Sequence, residues 1–566
     1  MMFPSNFTPR FLRAILMGAV VAITMAEVII HMMLNDYIQY GALPWYIGDV
    51  AIVAISMVEV ILAPPVSWAG YGRRRSALIS WLLVPAVAVL LLVPLPPLEL
   101  PEGNFLCTGA PQESLLSMNA LSSVRLAFIL FVGACCAVAR QGIWCHGIAY
   151  LDEHRPDAIT MHFGLLVTTR VVGLVVLPKI LFKEMPYWLQ ALGVTGPLML
   201  SVLQLIKLPQ QAPPSEPDMK VMSMTGRDRY LQSVTRVMQS KLALSYMVIM
   251  SLLAASVWGF GWYEKALIRT MYHVVPPTFG AGLISDILMY HIVVIPVMLI
   301  GLKQIPPIRK VFNRATNSAI TFKLNVLVGF LYLVITLALD CKLCPIEGFD
   351  GFSYERPNCS EYCSCASPWN GFSPVCVGSV DLTPVTFVNP CHAGCQKIEE
   401  FAGVEYLTDC TCGQYNMTGI EVNGTWVGGH GHGNSCSAFS CFGVVGLHQF
   451  LFLVTVTLTI LSFQLQGVLI LREVDHRDRS VALGLAGSLI TVVTFVVGHL
   501  AYFFIGVLTC AWSENNICLL QNNTFPTMLG AVSASLAFTS SLIGCVVWVI
   551  LKRRDAAGEV DSDNDM

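Results

Sequence analysis

The chain has 566 residues, of which 55% are hydrophobic and only 12% charged, and its mean hydropathy is +0.65. A soluble domain carries about 25% charged residues, so a soluble enzyme, a disordered chain and a nucleic-acid binder are excluded. A polytopic membrane protein is expected.

In chain order, apolar runs long enough to cross a bilayer lie at about 11–35, 45–69, 77–97, 122–150, 157–182, 186–206, 238–262, 275–302, 318–341, 446–471, 480–509 and 526–551. They predict an all-α protein with twelve transmembrane helices in two six-helix halves. The first half is 1–207, and a proline-bearing cytoplasmic linker occupies 208–237. Spans seven to nine fall in 238–341, with Glu264, Lys265, Arg269 and Pro276–Pro277 marking the turn after span seven. Residues 342–445 form a cysteine-rich block, 446–552 hold spans ten to twelve, and 553–566 form a short acidic tail expected to be disordered. The first run is too long for a signal peptide and reads as a span.

Lys and Arg collect on one side: Arg10 and Arg13, Arg73–Arg75, Arg155, Lys220 to Lys241, Lys303 to Lys310, Arg472 to Arg479, and Lys552–Arg554. The segment 98–121 has none, and 345–445 has only Arg356 and Lys397. The positive side faces the cytoplasm, so both termini are expected there.

Of nineteen cysteines, fifteen lie on the predicted outer side. Twelve are Cys341, Cys344, Cys359, Cys363, Cys365, Cys376, Cys391, Cys395, Cys410, Cys412, Cys436 and Cys441. Such density in a small extracytoplasmic segment implies disulfides, because the segment is too short for a sufficient apolar core. An oxidising side argues against zinc thiolates, and His430 and His432 read as part of a flexible glycine-rich loop. Cys510 and Cys518 are close enough to pair, and Cys107 stands alone in its loop. Fifteen is odd, so at least one outer cysteine lacks an intrachain partner. Sequons at Asn358, Asn416, Asn423 and Asn522 are expected to carry glycans on the same side. No metal or cofactor is expected.

Ionisable residues at bilayer depth are costly and face a cavity or a partner. They are Glu27, Asp49, Glu59, Arg125, Arg140, His146, Arg170, Asp286, His291 and His499. Asp49, Arg125 and His146 lie near span ends and read as reaching the interface. Arg140 and Arg170 sit on spans joined by one short turn, at similar depth, and two like charges there need a carboxylate or an anion between them. Glu27, Arg140, Arg170, Asp286, Trp258 and His499 are the candidate substrate-binding residues. The alternative for the charged ones is a buried Glu–Arg pair that holds helices together. Trp258, Trp262 and Tyr263 fit an interfacial belt as well as a cavity wall.

The cysteine block reads Cys363-Ser-Cys365, Cys376-Val-Gly-Ser379, Phe387-Val-Asn-Pro-Cys391-His-Ala-Gly-Cys395 and Asp409-Cys410-Thr-Cys412. It resembles the Kazal-like module between spans nine and ten of organic-anion-transporting polypeptides. Cys344-Pro-Ile-Glu-Gly348, Tyr150-Leu-Asp-Glu153, Ser480-Val-Ala-Leu-Gly484 and Gly72-Arg-Arg74 fit the same family. The span-six signature is eroded: only Trp188 and Ala191 of the family's Trp-rich run survive in Tyr187-Trp-Leu-Gln-Ala-Leu-Gly193. The span-eleven arginine of several members seats at Thr491, and Leu174 stands where span five often has proline. The resemblance implies a divergent member with the major facilitator fold. It also implies a central cavity, alternating access and sodium-independent transport of amphipathic organic anions at the plasma membrane. Cargoes of that family are steroid conjugates, bile acids, thyroid hormones and prostaglandins. The implied partners are the organic anion and the lipid bilayer, with no nucleic acid, and the oligomeric state is not set. The other reading is a non-transporting receptor or adhesion protein that displays the disulfide module. Protease inhibition by the module has no exposed reactive loop to support it.

Overall fold

In the first helix, Leu12, Leu16, Ala19, Ile23, Ala26, Ile30 and Met33 alternate in steps of four and three, and all are buried. That spacing makes one apolar seam along a helix, here α1 (Thr8–Gln39), which packs on the helices Ile159–Ile180 and Tyr187–Ile206. The computed structural model describes residues 8–564, apart from 40–42, 45, 71–72, 94–106, 109–119, 155–158, 181–186, 208–225, 276–313, 362, 366–370, 380–381, 402–403, 414–420, 423–424, 427–428, 476 and 515–516.

The first helical group continues with α2 (Ile47–Ala69), α3 (Arg74–Ala88), α4 (Ala120–Gly142), α5 (Ile148–His154), α6 (Ile159–Ile180) and α7 (Tyr187–Ile206). The second comprises α8 (Gly226–Gln239), α9 (Lys241–Tyr272), α10 (Arg314–Leu333), α11 (Ala438–Glu473), α12 (Arg479–Thr491), α13 (His499–Leu508) and α14 (Phe525–Asn564). The first group shares one continuous apolar core, while the second is built around two. The groups meet where α2 packs on α12 and α6 on α11. Among the described residues, ten helical stretches are long and apolar enough to span a membrane. α6 adds 22 helical residues where the fifth span was expected. The expected eighth span, with Asp286 and His291, lies outside the described residues.

Two expectations change, the end of α9 and the state of the tail, and the linker gains a helix. α9 does not stop near residue 262 but runs through Glu264, Lys265 and Arg269 to Tyr272. Those charged residues are good helix formers, and the helix ends only at His273, in the left-handed conformation three residues before Pro276. The linker contains the helix α8, whose Ser233 and Arg236 bond the Asp478 carboxylate at 2.7–2.8 Å. The acidic tail continues α14 in helical conformation to Asn564.

Two π-helical turns interrupt the bundle beside candidate residues. Ile143–Gly147 joins α4 to α5 just after Arg140, and Val492–Gly498 joins α12 to α13 just before His499. Such turns re-aim side chains and recur at functional sites. Close helix approach relies on glycine at Gly259, where a Cβ would come within 1.9 Å of the Tyr502 ring.

In chain order the strands up to the end of the cysteine-rich block are β1 (Cys107–Thr108), β2 (Ser364–Cys365), β3 (Val375–Ser379), β4 (Leu382–Phe387), β5 (Lys397–Phe401), β6 (Val404–Cys410), β7 (Glu421–Val422), β8 (Thr425–Trp426) and β9 (Gly429–Gly433). Five of them form one sheet in the order β4-β3-β9-β6-β5. His430 and His432 are therefore in a strand rather than a loop. Glycine at 431 lets β9 pass between Val377 and Leu407. No metal-binding cluster exists among the described residues. Disulfides join Cys341–Cys441, Cys359–Cys412, Cys376–Cys436 and Cys395–Cys410, and Cys510–Cys518 closes a separate hairpin. Cys363 and Cys391 are also oxidised. Cys344 corrects the expectation: it is a free thiol, because Cys341 takes the partner at Cys441. The backbone at Cys107–Thr108, between α3 and α4, pairs antiparallel with Ser364–Cys365 of the block. Asn358 starts a 3₁₀ turn and Asn522 a turn before α14, while Asn416 and Asn423 lie outside the described residues.

Candidate substrate site between the helix groups

Glu27 lies beside the α1 seam, facing α4 and α6. Its Oε1 accepts from Arg140 Nη1 at 2.6 Å, and its Oε2 from Arg170 Nη2 at 2.7 Å. The two like charges on neighbouring helices are thus joined by one carboxylate. Arg140 has a second partner in Glu59 of α2, which accepts from its Nε at 3.1 Å and also from its Nη2. Gln141 Nε2 adds a bond to Glu59 at 2.5 Å. Arg170 Nη1 reaches Thr24 Oγ1 at 3.3 Å, and the Thr24 hydroxyl itself donates to Val20 O.

The four charged side chains are not equally sealed. Glu59 has 0% exposure, whereas Glu27, Arg140 and Arg170 keep 12%, 15% and 17%. Arg140 and Arg170 border a small cavity with Val20, Ile23, Ile143 and Trp144. Glu59 therefore anchors Arg140, and Arg170 borders the cavity with Glu27 as its carboxylate partner.

One turn along α1 from Glu27 stands His31, on the same face. Its ring meets Trp262 edge-on at 6.0 Å, and Trp262 stacks on Trp258 at 5.4 Å. Phe495 from the π turn closes on Trp258 at 4.7 Å. The Trp258 indole donates to His499 Nδ1 at 3.4 Å, and His499 Nε2 meets Asp49 Oδ1 at 2.9 Å. An indole N–H only donates, so Nδ1 accepts, the proton sits on Nε2, and the neutral imidazole donates to the Asp49 carboxylate. Asp49 is thus not merely an interfacial group; it bridges α2 to α13. At the opposite end of α12 and α13, Asp152 pairs with Arg479 and again joins the two groups. His146, also expected near the interface, is buried with Nε2 2.8 Å from Val66 O.

Five of the six sequence candidates thus converge: Glu27, Arg140 and Arg170 as a charged cluster, Trp258 and His499 as the adjoining aromatic wall. Asp286 lies outside the described residues. Sequence reading missed His31, although its four-residue offset from Glu27 was legible. It also missed Gln141, which no pattern singles out.

Residues 187–524 match the Organic Anion Transporter Polypeptide (OATP) family. Solute carrier organic anion transporter family member 2B1 of Mus musculus is 32% identical over 144 residues, 25% of this chain and 18% of that protein. The Homo sapiens protein of the same name is 30% identical over 178 residues, 30% of this chain and 22% of that one. Family member 1C1 of Mus musculus is 24% identical over 376 residues, 61% of this chain and 48% of that one. The matches thus span less than half the length of these relatives. Among solved structures, the human organic anion transporter MFSD10 (TETRAN) aligns with TM-score 0.47 and 10% identity over 97% of this chain and 100% of that one. With the family's sequence pattern matched over more than half of its length, this multi-pass membrane protein belongs to the organic anion transporter polypeptide family.

Proposed function

We propose that the protein is a carrier of amphipathic organic anions in the plasma membrane. In this reading it has twelve spans in two six-helix halves, both termini cytoplasmic, and works by sodium-independent alternating access. The observation that supports it is one site in which a largely buried ion pair, Arg170–Glu27, adjoins an aromatic wall of Trp258, Trp262 and Phe495. An amphipathic anion needs fixed positive charge beside apolar surface. Its acidic group would compete with Glu27 for Arg170, while Glu59 keeps Arg140 in place. Its ring system would lie against the tryptophans. Steroid conjugates, bile acids, thyroid hormones and prostaglandins have that build. The Asp49–His499 and Asp152–Arg479 pairs tie the halves near opposite ends and would open in turn. The block 342–445 reads as a Kazal-like outer module, with glycans at Asn358, Asn416, Asn423 and Asn522.

The test is uptake of a labelled steroid sulfate into cells that express the chain, with sodium and with choline in its place. Saturable uptake in both media is expected. Normal surface display without uptake would refute the carrier reading and favour a receptor or adhesion role for the module.

A further inference from the structure

Arg140, Arg170, Glu27 and Glu59 carry two positive and two negative charges, a neutral set in a low-dielectric setting. The carboxylates differ in what they lose on protonation. Glu59 accepts two bonds from Arg140 and one from Gln141 and is fully sealed. Glu27 is partly exposed, and Arg140 keeps Glu59 if Glu27 withdraws. A monovalent anion that takes the place of Glu27 on Arg170 brings a fifth charge and leaves the set at −1. Neutrality returns when Glu27 takes up a proton.

We propose that Glu27 is the proton site of this carrier: each monovalent organic anion bound at Arg170 travels with one proton on Glu27, as symport. The inference rests on the carrier reading above. The proton comes from water on the side where the anion enters. It binds Glu27 Oε2 as that oxygen releases Arg170 Nη2. It leaves to water on the other side when the anion departs and the Arg170–Glu27 pair re-forms.

The groups around Glu27 support the choice. On its own helix are Thr24 and His31; α4 presents Arg140 and Cys136, α6 Arg170, and α2 Glu59. α7, also packed along α1, has no charged residue. Protonation of His31 would also balance the anion's charge, but it would leave the Glu27 carboxylate competing with the anion for Arg170 Nη2. Protonation of His499 at Nδ1 would set an N–H against the Trp258 N–H. Glu27 is the group whose protonation both offsets the anion's charge and frees Arg170 to hold it.

The experiment uses the full chain in proteoliposomes, with voltage clamped by potassium and valinomycin, and a tritiated steroid sulfate, which stays anionic at every pH used. An acid-outside gradient of about one pH unit should drive about tenfold accumulation for one-to-one coupling. Membrane potential alone should drive none. In Glu27→Gln the proton-driven accumulation should vanish and uptake should become potential-sensitive. Wild-type uptake that ignores the pH gradient or follows the potential overturns the proposal, even if Glu27→Gln does not fold. Gradient-driven accumulation that persists in a folded Glu27→Gln overturns it as well. Complete absence of uptake and counterflow would instead refute the carrier reading on which it rests.

Discussion

Arg140→Ala should damage the protein more than Arg170→Ala. Loss of Arg140 strands Glu59, whose side chain has 0% exposure, with only Gln141 as a donor. Deleting one partner of a buried ion pair costs about 3–5 kcal/mol, a large share of a typical stability of about 5–15 kcal/mol. Arg170→Ala leaves Glu27 on Arg140, and the lost side chain lies at the border of a small cavity. The loss there is one charge-assisted hydrogen bond, about 1.5–3 kcal/mol at most. If an anion uses Arg170, the same loss appears as a KM about 10- to 150-fold higher. Purified variants would be compared by heat challenge and size-exclusion chromatography in one detergent, and surface level by biotinylation. Arg140→Ala should be unstable and retained, and adding Glu59→Gln should restore much of the loss by removing the stranded charge. Arg170→Ala should reach the surface with impaired anion uptake. An Arg140→Ala protein as stable as wild type, or a double variant no better than the single, would refute the assignment of Glu59 as its anchor.

Cys376→Ala leaves Cys436 unpaired; loss of a disulfide in a small disulfide-bonded domain costs about 2–5 kcal/mol, so, if the module is glycosylated as proposed, the protein should be retained with immature glycans, read by glycosidase sensitivity. Cys344 should alkylate without reduction, unlike Cys341, Cys359, Cys376, Cys395, Cys410, Cys412, Cys436 and Cys441, read by mass spectrometry. Burial, helped by the Arg356 charge, pushes His392 down to about 4, and its Nδ1 lies 2.6 Å from the Tyr354 hydroxyl. The unfolded value is about 6.5, so the unfolded module binds more protons between the two. Its stability should be full above about pH 6.5 and decline as pH falls towards 4; protease resistance across that range should flatten in His392→Phe. Gly259→Ala puts a Cβ 1.9 Å from Tyr502, whose hydroxyl bonds Ser533 at 2.7 Å. Overpacking of this kind costs about 1–3 kcal/mol, visible as a lower midpoint in a thermal scan.

Ten of the twelve expected spans, the cysteine-rich block and the deep charged residues other than Asp286 and His291 were legible in the sequence. The reason is that a bilayer imposes long apolar runs and makes each interruption costly. The α1 seam and the Glu27 to His31 spacing were likewise local facts. Local pattern misjudged the helix ends, since Lys265 and Arg269 continue α9 and only the approach to Pro276 stops it. It also gave β9 to a loop, because glycine lacks strand propensity and the sheet needed its slimness. From sequence, Arg170→Ala would leave Glu27 unpaired. The fold instead gives Glu27 a second guanidinium and gives Arg140 a second carboxylate. Pairings at separations of 81, 113, 143 and 450 residues are set by how helices pack, not by any pattern along the chain. The same holds for which cysteine is left over: parity demanded one, and only the geometry that joins Cys341 to Cys441 selected Cys344.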